Sequence, residues 1–123
     1  HSYFQPMENS GPFEMALQTS NHQVEEAVSL LQTLLADFIS EGPDEEELDH
    51  ARKNITGGFA LKIDSNKKIV NYLAVIGFYD LPLDYLDTFN ANVLAVTSDD
   101  IREAFKRRVK PESMIQVIVG GAP

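Results

Sequence analysis

The sequence predicts an α+β fold, a small antiparallel sheet covered on one face by about five helices. Three observations carry this expectation. Near the start, Phe13, Met15 and Leu17 alternate with Glu14, Ala16 and Gln18, and a second apolar run closes the chain over 113–119. Between those ends, from Val24 to Phe105, apolar residues recur every three or four positions, as on the buried stripe of a helix. Helix stop and start signals punctuate that stretch, notably Gly42-Pro43, Asp44 with Glu47, and Thr97 with Asp100.

Taken in order, Ser2-Tyr3-Phe4-Gln5 reads as a short aromatic strand limited by Pro6. Glu8-Asn9-Ser10-Gly11-Pro12 is a turn cluster. With Phe13–Leu17 these segments read as a hairpin. Val24, Ala27, Val28, Leu31, Leu34, Leu35 and Phe38 predict the first helix, capped by Ser20 or Asn21 and stopped by Gly42 and Pro43. Asp44 and Glu47 form a capping box for a second helix, whose expected apolar face is Leu48, Ala51, Ile55 and Phe59. Gly57 and Gly58 within it imply close helix packing or a break, since each costs about 1 kcal/mol against Ala. Ser65 opens a third helix with Ile69, Val70, Leu73, Ile76 and Gly77. Leu81-Pro82-Leu83 interrupts it, and Leu86, Phe89, Val93 and Val96 mark a fourth. Thr97 and Asp100 box a fifth, with Ile101, Ala104 and Phe105 inward and Lys106-Arg107-Arg108 in the last turn, where cations suit the negative helix end. Residues 113–119 read as a final strand ended by Gly120-Gly121. Three strands are few for five helices, so the sheet is expected to be incomplete, with further strands upstream or in a partner. There is no internal repeat and no low-complexity tract.

Composition narrows the function. At 123 residues and 13.7 kDa the chain reads as one domain, residues 1–123. Ten Lys and Arg against nineteen Asp and Glu leave a net charge of −9. That balance disfavours sequence-independent nucleic-acid binding and attachment to anionic lipid, both of which need cations. With no cysteine, thiol catalysis, disulfides and Cys-based zinc or iron–sulfur sites are excluded. No stretch approaches the roughly 20 apolar residues of a membrane-spanning helix. No signal peptide is read, and a start at His1 instead of Met reads as a cut.

Few motifs carry chemistry. His22-Gln23-Val24-Glu25-Glu26 has the His-x-x-Glu spacing of an inverted zinc-peptidase motif, but the second His is replaced by Glu26. It is read as a solvated first turn. Glu46 and His50 are four apart and read as a surface pair. No complete zinc site and no catalytic residue are expected. There is no Gly-x-Ser-x-Gly elbow and no phosphate-binding Gly loop. Asn54-Ile55-Thr56 matches a glycosylation sequon but falls within a helix, and is read as chance. Two aromatic segments stand out as peptide-contacting or interface candidates. One is Tyr3-Phe4, whose strand edge can accept an extended peptide. The other is Gly77–Leu86, with Phe78, Tyr79 and Tyr85.

The order and spacing of several segments carry a resemblance. They are Gly11-Pro12-Phe13, Leu17-Gln18-Thr19, Gly42-Pro43-x-Glu45-Glu46-Glu47-Leu48, Gly57-Gly58-Phe59, Asp64-Ser65-Asn66, Gly77-Phe78-Tyr79-x-Leu81-Pro82-Leu83-Asp84-Tyr85-Leu86, Val96-Thr97 and Val117-Ile118-Val119-Gly120. Over nearly its whole length the chain resembles the C-terminal, non-zinc (inactive) domain of the pitrilysin/insulinase family of zinc metallopeptidases, nearest its bacterial processing-peptidase-like branch.

The resemblance implies a clam-shell of homologous α+β domains, with zinc held by His-x-x-Glu-His and a distal Glu in the N-terminal half. It implies that the C-terminal half closes the chamber and holds peptide substrate. It places the Arg and Tyr that this half contributes beside the zinc just ahead of Ser2-Tyr3-Phe4, before His1, so Tyr3 is not that Tyr. The chain is therefore expected to be a truncated, incomplete C-terminal domain, inactive alone, with no cofactor of its own. Its expected partners are a peptide or protein substrate and a zinc-bearing domain or subunit, with homo- or heterodimers in view. A periplasmic or exported setting is favoured over a cytoplasmic one by resemblance alone. The alternative is a partner or core scaffold subunit without peptidase activity. A third reading is an isolated peptide-binding module using the Tyr3-Phe4 edge.

Overall fold

The structure is a computed structural model that describes residues 1–120. The elements in chain order are β1 (Ser2–Phe4), β2 (Phe13–Met15), α1 (Val24–Glu41), α2 (Glu45–Gly57), α3 (Phe59–Lys62), α4 (Asn66–Phe78), α5 (Tyr85–Ala95) and α6 (Ser98–Arg108). Short 3-10 turns occupy Asn21–Gln23 and Pro111–Ser113. The described chain is thus α+β, with a two-stranded antiparallel sheet and six helices. It divides into two compact units, one of residues 1–42 with those from 101 onward, the other of residues 43–100.

In the first unit β1 and β2 pair with Ser2 opposite Met15, Tyr3 opposite Glu14 and Phe4 opposite Phe13. Successive side chains alternate between faces. Phe4 and Phe13 therefore share one face, with ring centroids 4.7 Å apart, and both meet the ring of Phe105 on α6, at 5.4 and 5.6 Å. Phe38 of α1 closes the cluster on Phe105 at 4.8 Å. The other face carries Tyr3, whose hydroxyl donates to Glu14 Oε2 at 2.7 Å. The turn between the strands needs Gly11, because a Cβ there would lie 1.6 Å from the Gln5 carbonyl oxygen.

Helix α1 buries Leu35 and half-buries Val24, Ala27, Val28, Leu31, Phe38 and Ile39. Leu34, expected inward, is 57% exposed, as is Leu30 one turn before it. The expected cap is also different. A 3-10 turn leads into the helix, and Ser20 Oγ donates to Gln23 Oε1 at 2.6 Å instead of accepting from a helix N–H. At the far end Gly42 stops α1 as expected. Its N–H donates to the Phe38 carbonyl at 2.9 Å, with φ 77° and ψ −175°. That is backbone territory essentially confined to glycine.

The expected strand over 113–119 does not form among the described residues. Pro111–Ser113 is a 3-10 turn, and 114–120 carries no ladder. Gln116 Oε1 accepts from Gln32 Nε2 at 3.5 Å, and Gly120 approaches the Asn21 side chain, so the segment runs back along α1. Its period-two pattern survives without pairing. Ile115, Val117 and Val119 are 90, 76 and 93% exposed, while Met114 and Ile118 are more covered. Alternation sets which side chains face which way, but a strand also needs a backbone to pair with, and none among the described residues pairs with this one. Gly121, half of the expected terminator, lies outside the described residues.

In the second unit the Asp44–Glu47 capping box forms in full. Helix α2 packs against α5. Its inward positions are Leu48, Arg52, Thr56 and, beyond the break, Phe59, whereas Ala51 and Ile55 face outward. Two hydrogen bonds make that possible. The Arg52 guanidinium donates to the Val96 carbonyl after α5, and Thr56 Oγ1 donates to the Arg52 carbonyl at 2.8 Å. The Thr56 hydroxyl and one arm of the Arg52 guanidinium are thereby paired, while Arg52 Nε is buried with no hydrogen-bond partner among the described residues. Gly57 and Gly58 mark a break, not a close approach. No atom lies within 4 Å of a Cβ at Gly57, a Cβ at Gly58 would meet only the Asn54 carbonyl oxygen of the preceding turn at 3.3 Å, and the chain restarts as α3. The expected second helix is therefore two, which raises the helix number to six. Phe59 stacks on Phe89 of α5 with centroids 4.3 Å apart and planes 14° from parallel. Tyr72 and Tyr85 add edge contacts at 6.2 and 5.9 Å. Ser65 caps α4 through the Lys68 N–H at 3.4 Å. Of the apolar residues expected inward on α4, Ile76 is buried, while Val70 and Leu73 are 60 and 55% exposed.

Candidate interaction surface

The five aromatic candidates fall in both units. Tyr3 and Phe4 lie on the hairpin of the first, about half exposed. They sit on opposite faces of β1, so Phe4 is held by the Phe13–Phe105 cluster and Tyr3 by Glu14. The Glu14 carboxylate, hydrogen-bonded to the phenol and repelling its ionised form, raises the Tyr3 pKa above the ordinary phenol value. In the second unit Phe78 ends α4 with 63% of its surface exposed, and Tyr79 follows at 4.9 Å, edge to face. The chain turns directly after them through Asp80, a non-glycine residue at φ 51°. Asp tolerates this left-handed conformation better than most residues. Tyr85 begins α5 and packs its ring on Phe89, with one side lining a shallow cleft of about 210 Å³ shared with Asn92, Val93 and Val96. The structure therefore brings the exposed Phe78 and the half-buried Tyr79 together as an aromatic corner. It ties Tyr85 to the Phe59–Phe89 core.

A second cleft, in the first unit, was missed by sequence reasoning. It is about 280 Å³ and lies between Phe13 and the turn after α6, lined by Arg108, Val109, Lys110, Ser113 and Met114. The usable signal was the run of four cations between 106 and 110 in so acidic a chain.

Among the described residues no group of three or more His, Cys, Asp or Glu is placed to hold a metal ion. His22 Nε2 lies 3.5 Å from Ser20 Oγ on an exposed turn, and Glu25 and Glu26 are exposed in the first turn of α1. These residues do not fit a zinc site, and no catalytic step through zinc follows for this chain. No helix among the described residues is long and apolar enough to cross a membrane.

No family model matches the sequence, and no curated protein matches it. A solved structure does. The crystal structure of the peptidase M16 inactive domain from Pseudomonas fluorescens superposes with a TM-score of 0.82 and 33% sequence identity over 90% of this chain.

The chain has the fold of a peptidase M16 inactive domain.

It spans 26% of the length of the matched M16 chain. The resemblance read from the sequence, which included Gly42-Pro43, Gly57-Gly58-Phe59 and the Gly77–Leu86 corner, is to this same kind of domain. Within the M16 inactive-domain fold those segments have physical tasks here. They end α1 at a glycine-only conformation, break α2 from α3, and turn α4 into α5.

Proposed function

We propose that the chain forms part of the non-catalytic, C-terminal half of an M16-type zinc peptidase, closing the substrate chamber and holding peptide. Hydrolysis takes place in a separate zinc-bearing half. The observation that carries this reading is the match to the M16 inactive domain at 33% identity over 90% of the chain. The exposed aromatic and aliphatic surface of the described residues supports it. In this reading Tyr3 and Phe4 on the hairpin and Phe78, Tyr79 and Tyr85 near the α4–α5 corner contact peptide or the zinc-bearing partner. Residues 1–123 belong to one C-terminal peptidase-family domain.

The test is reconstitution in trans. The chain is mixed with a zinc-bearing half of the family from the same source, and cleavage of an unstructured peptide is followed. The expected result is low activity for either component alone and a clear gain in the mixture, reduced by Phe78→Ala. A zinc-bearing half equally active without the chain overturns the chamber-closing role. Complex formation with no gain in hydrolysis supports instead a scaffold subunit.

A further inference from the structure

The turn after α6 gathers positive charge around an apolar floor. The whole chain has ten Lys and Arg, and Lys106, Arg107, Arg108 and Lys110 are four of them. Helix polarity accounts for part of this, since cations suit the negative end of α6. Lys110 Nζ donates to the Lys106 carbonyl at 2.7 Å, and Lys106 stands 3.6 Å from Glu103. Arg108 shares the last turn of α6, makes no ion pair among the described residues and lines the cleft. Val109, only 4% exposed and bonded through its N–H to the Phe105 carbonyl at 2.8 Å, pins the chain between Arg108 and Lys110. Beyond them the Pro111–Ser113 turn is locked by the Ser113 N–H to the Lys110 carbonyl at 2.9 Å, which sets Ser113 and Met114 on the far wall. None of the six lining residues is acidic, in a chain with nineteen Asp and Glu.

We propose that this cleft binds the free carboxylate of a peptide whose adjoining side chain is apolar, with the Arg108 guanidinium as the principal anion contact. A guanidinium matches a carboxylate with two parallel N–H donors, so the bond is directional as well as ionic. Lys110 adds a second cation and Ser113 a hydroxyl. Phe13, Val109 and Met114 give the neighbouring side chain an apolar surface. At about 280 Å³ the space suits one carboxylate and one side chain, not a larger ligand. The remaining charge of the chain repels anions at long range, so the attraction is local and selects for a ligand that also fills the apolar floor. The inference rests on the peptide-holding role proposed above and names the end of the peptide that is held.

The experiment titrates the 123-residue chain with a labelled unstructured hexapeptide ending in Leu, as the free acid and as the C-terminal amide. Fluorescence anisotropy gives the affinity, and mass spectrometry of the recovered peptide shows whether it stays intact. The free acid should bind at least about tenfold more tightly than the amide. Arg108→Ala should abolish that preference and Arg108→Lys should retain part of it. Arg107→Ala, outside the cleft, should keep it, and circular dichroism of each variant checks that α6 remains folded. Equal affinity for acid and amide overturns the site, as does failure of the acid to bind at millimolar concentration. Equal displacement by inorganic phosphate of peptides ending in Leu and in Gly also overturns it, because the site would then take a bare anion. Cleavage of the peptide would contradict the non-catalytic role while leaving the acid-to-amide ratio readable, so the two failures are distinct.

Discussion

Thr97 and Asp100 hold each other across the first turn of α6. The Asp100 N–H donates to Thr97 Oγ1 at 3.1 Å, while the Thr97 hydroxyl and N–H both donate to Asp100 Oδ2, at 2.6 and 2.9 Å. Those two bonds to the charged form, the side-chain one larger, hold the Asp100 pKa below the ordinary carboxylate value. A depressed acid stabilises the fold above its unfolded pKa, and the contribution is lost as pH falls through the folded pKa. Asp100 should therefore titrate below a free Asp by carbon-detected NMR, and Thr97→Val should move it back up. An Asp100 that titrates normally in the wild type contradicts the box.

Gly42→Ala should destabilise the chain by about 1–3 kcal/mol, because φ 77° with ψ −175° lies where only glycine is unstrained. Urea melts followed by helix signal provide the measurement. A neutral effect would mean that the end of α1 rearranges freely.

Phe59 is 6% exposed and stacked on Phe89, so Phe59→Ala opens a cavity in the second unit. The expected cost is about 3–5 kcal/mol, enough to unfold a marginally stable domain. Phe59→Leu should lose much less. Equal losses for the two would show that the site is not packed as described.

Gly77 sits inside α4 with no atom within 4 Å of a Cβ placed on it. Gly77→Ala should stabilise the chain by about 0.5–1 kcal/mol through helix propensity alone. Destabilisation in the same urea melt would reveal a close neighbour at that position.

The legible parts of this sequence were those decided locally. The hairpin, the Asp44–Glu47 and Thr97–Asp100 boxes and the stop at Gly42 depend on neighbours within a few residues, and each formed. One local expectation failed, the Ser20 cap of α1, whose hydroxyl donates to Gln23 instead; two larger failures depended on distant groups. The buried face of α2 turned toward Arg52 and Thr56 because the Val96 carbonyl, 44 residues away, was there to accept from Arg52. Residues 114–119 kept their alternation but have no strand to pair with among the described residues. The aromatic corner at Phe78-Tyr79 was visible as composition. The Arg108 cleft was not, because its cations had a sufficient local explanation in the helix end and its apolar floor comes from Phe13, far away in sequence.

Under the proposed function this chain holds peptide without cutting it. The most direct test is to incubate the purified chain with added zinc and a set of unstructured peptides, then measure binding and peptide mass together. The account predicts bound, intact peptide. New peptide termini that vanish when a residue of this chain is substituted would contradict it.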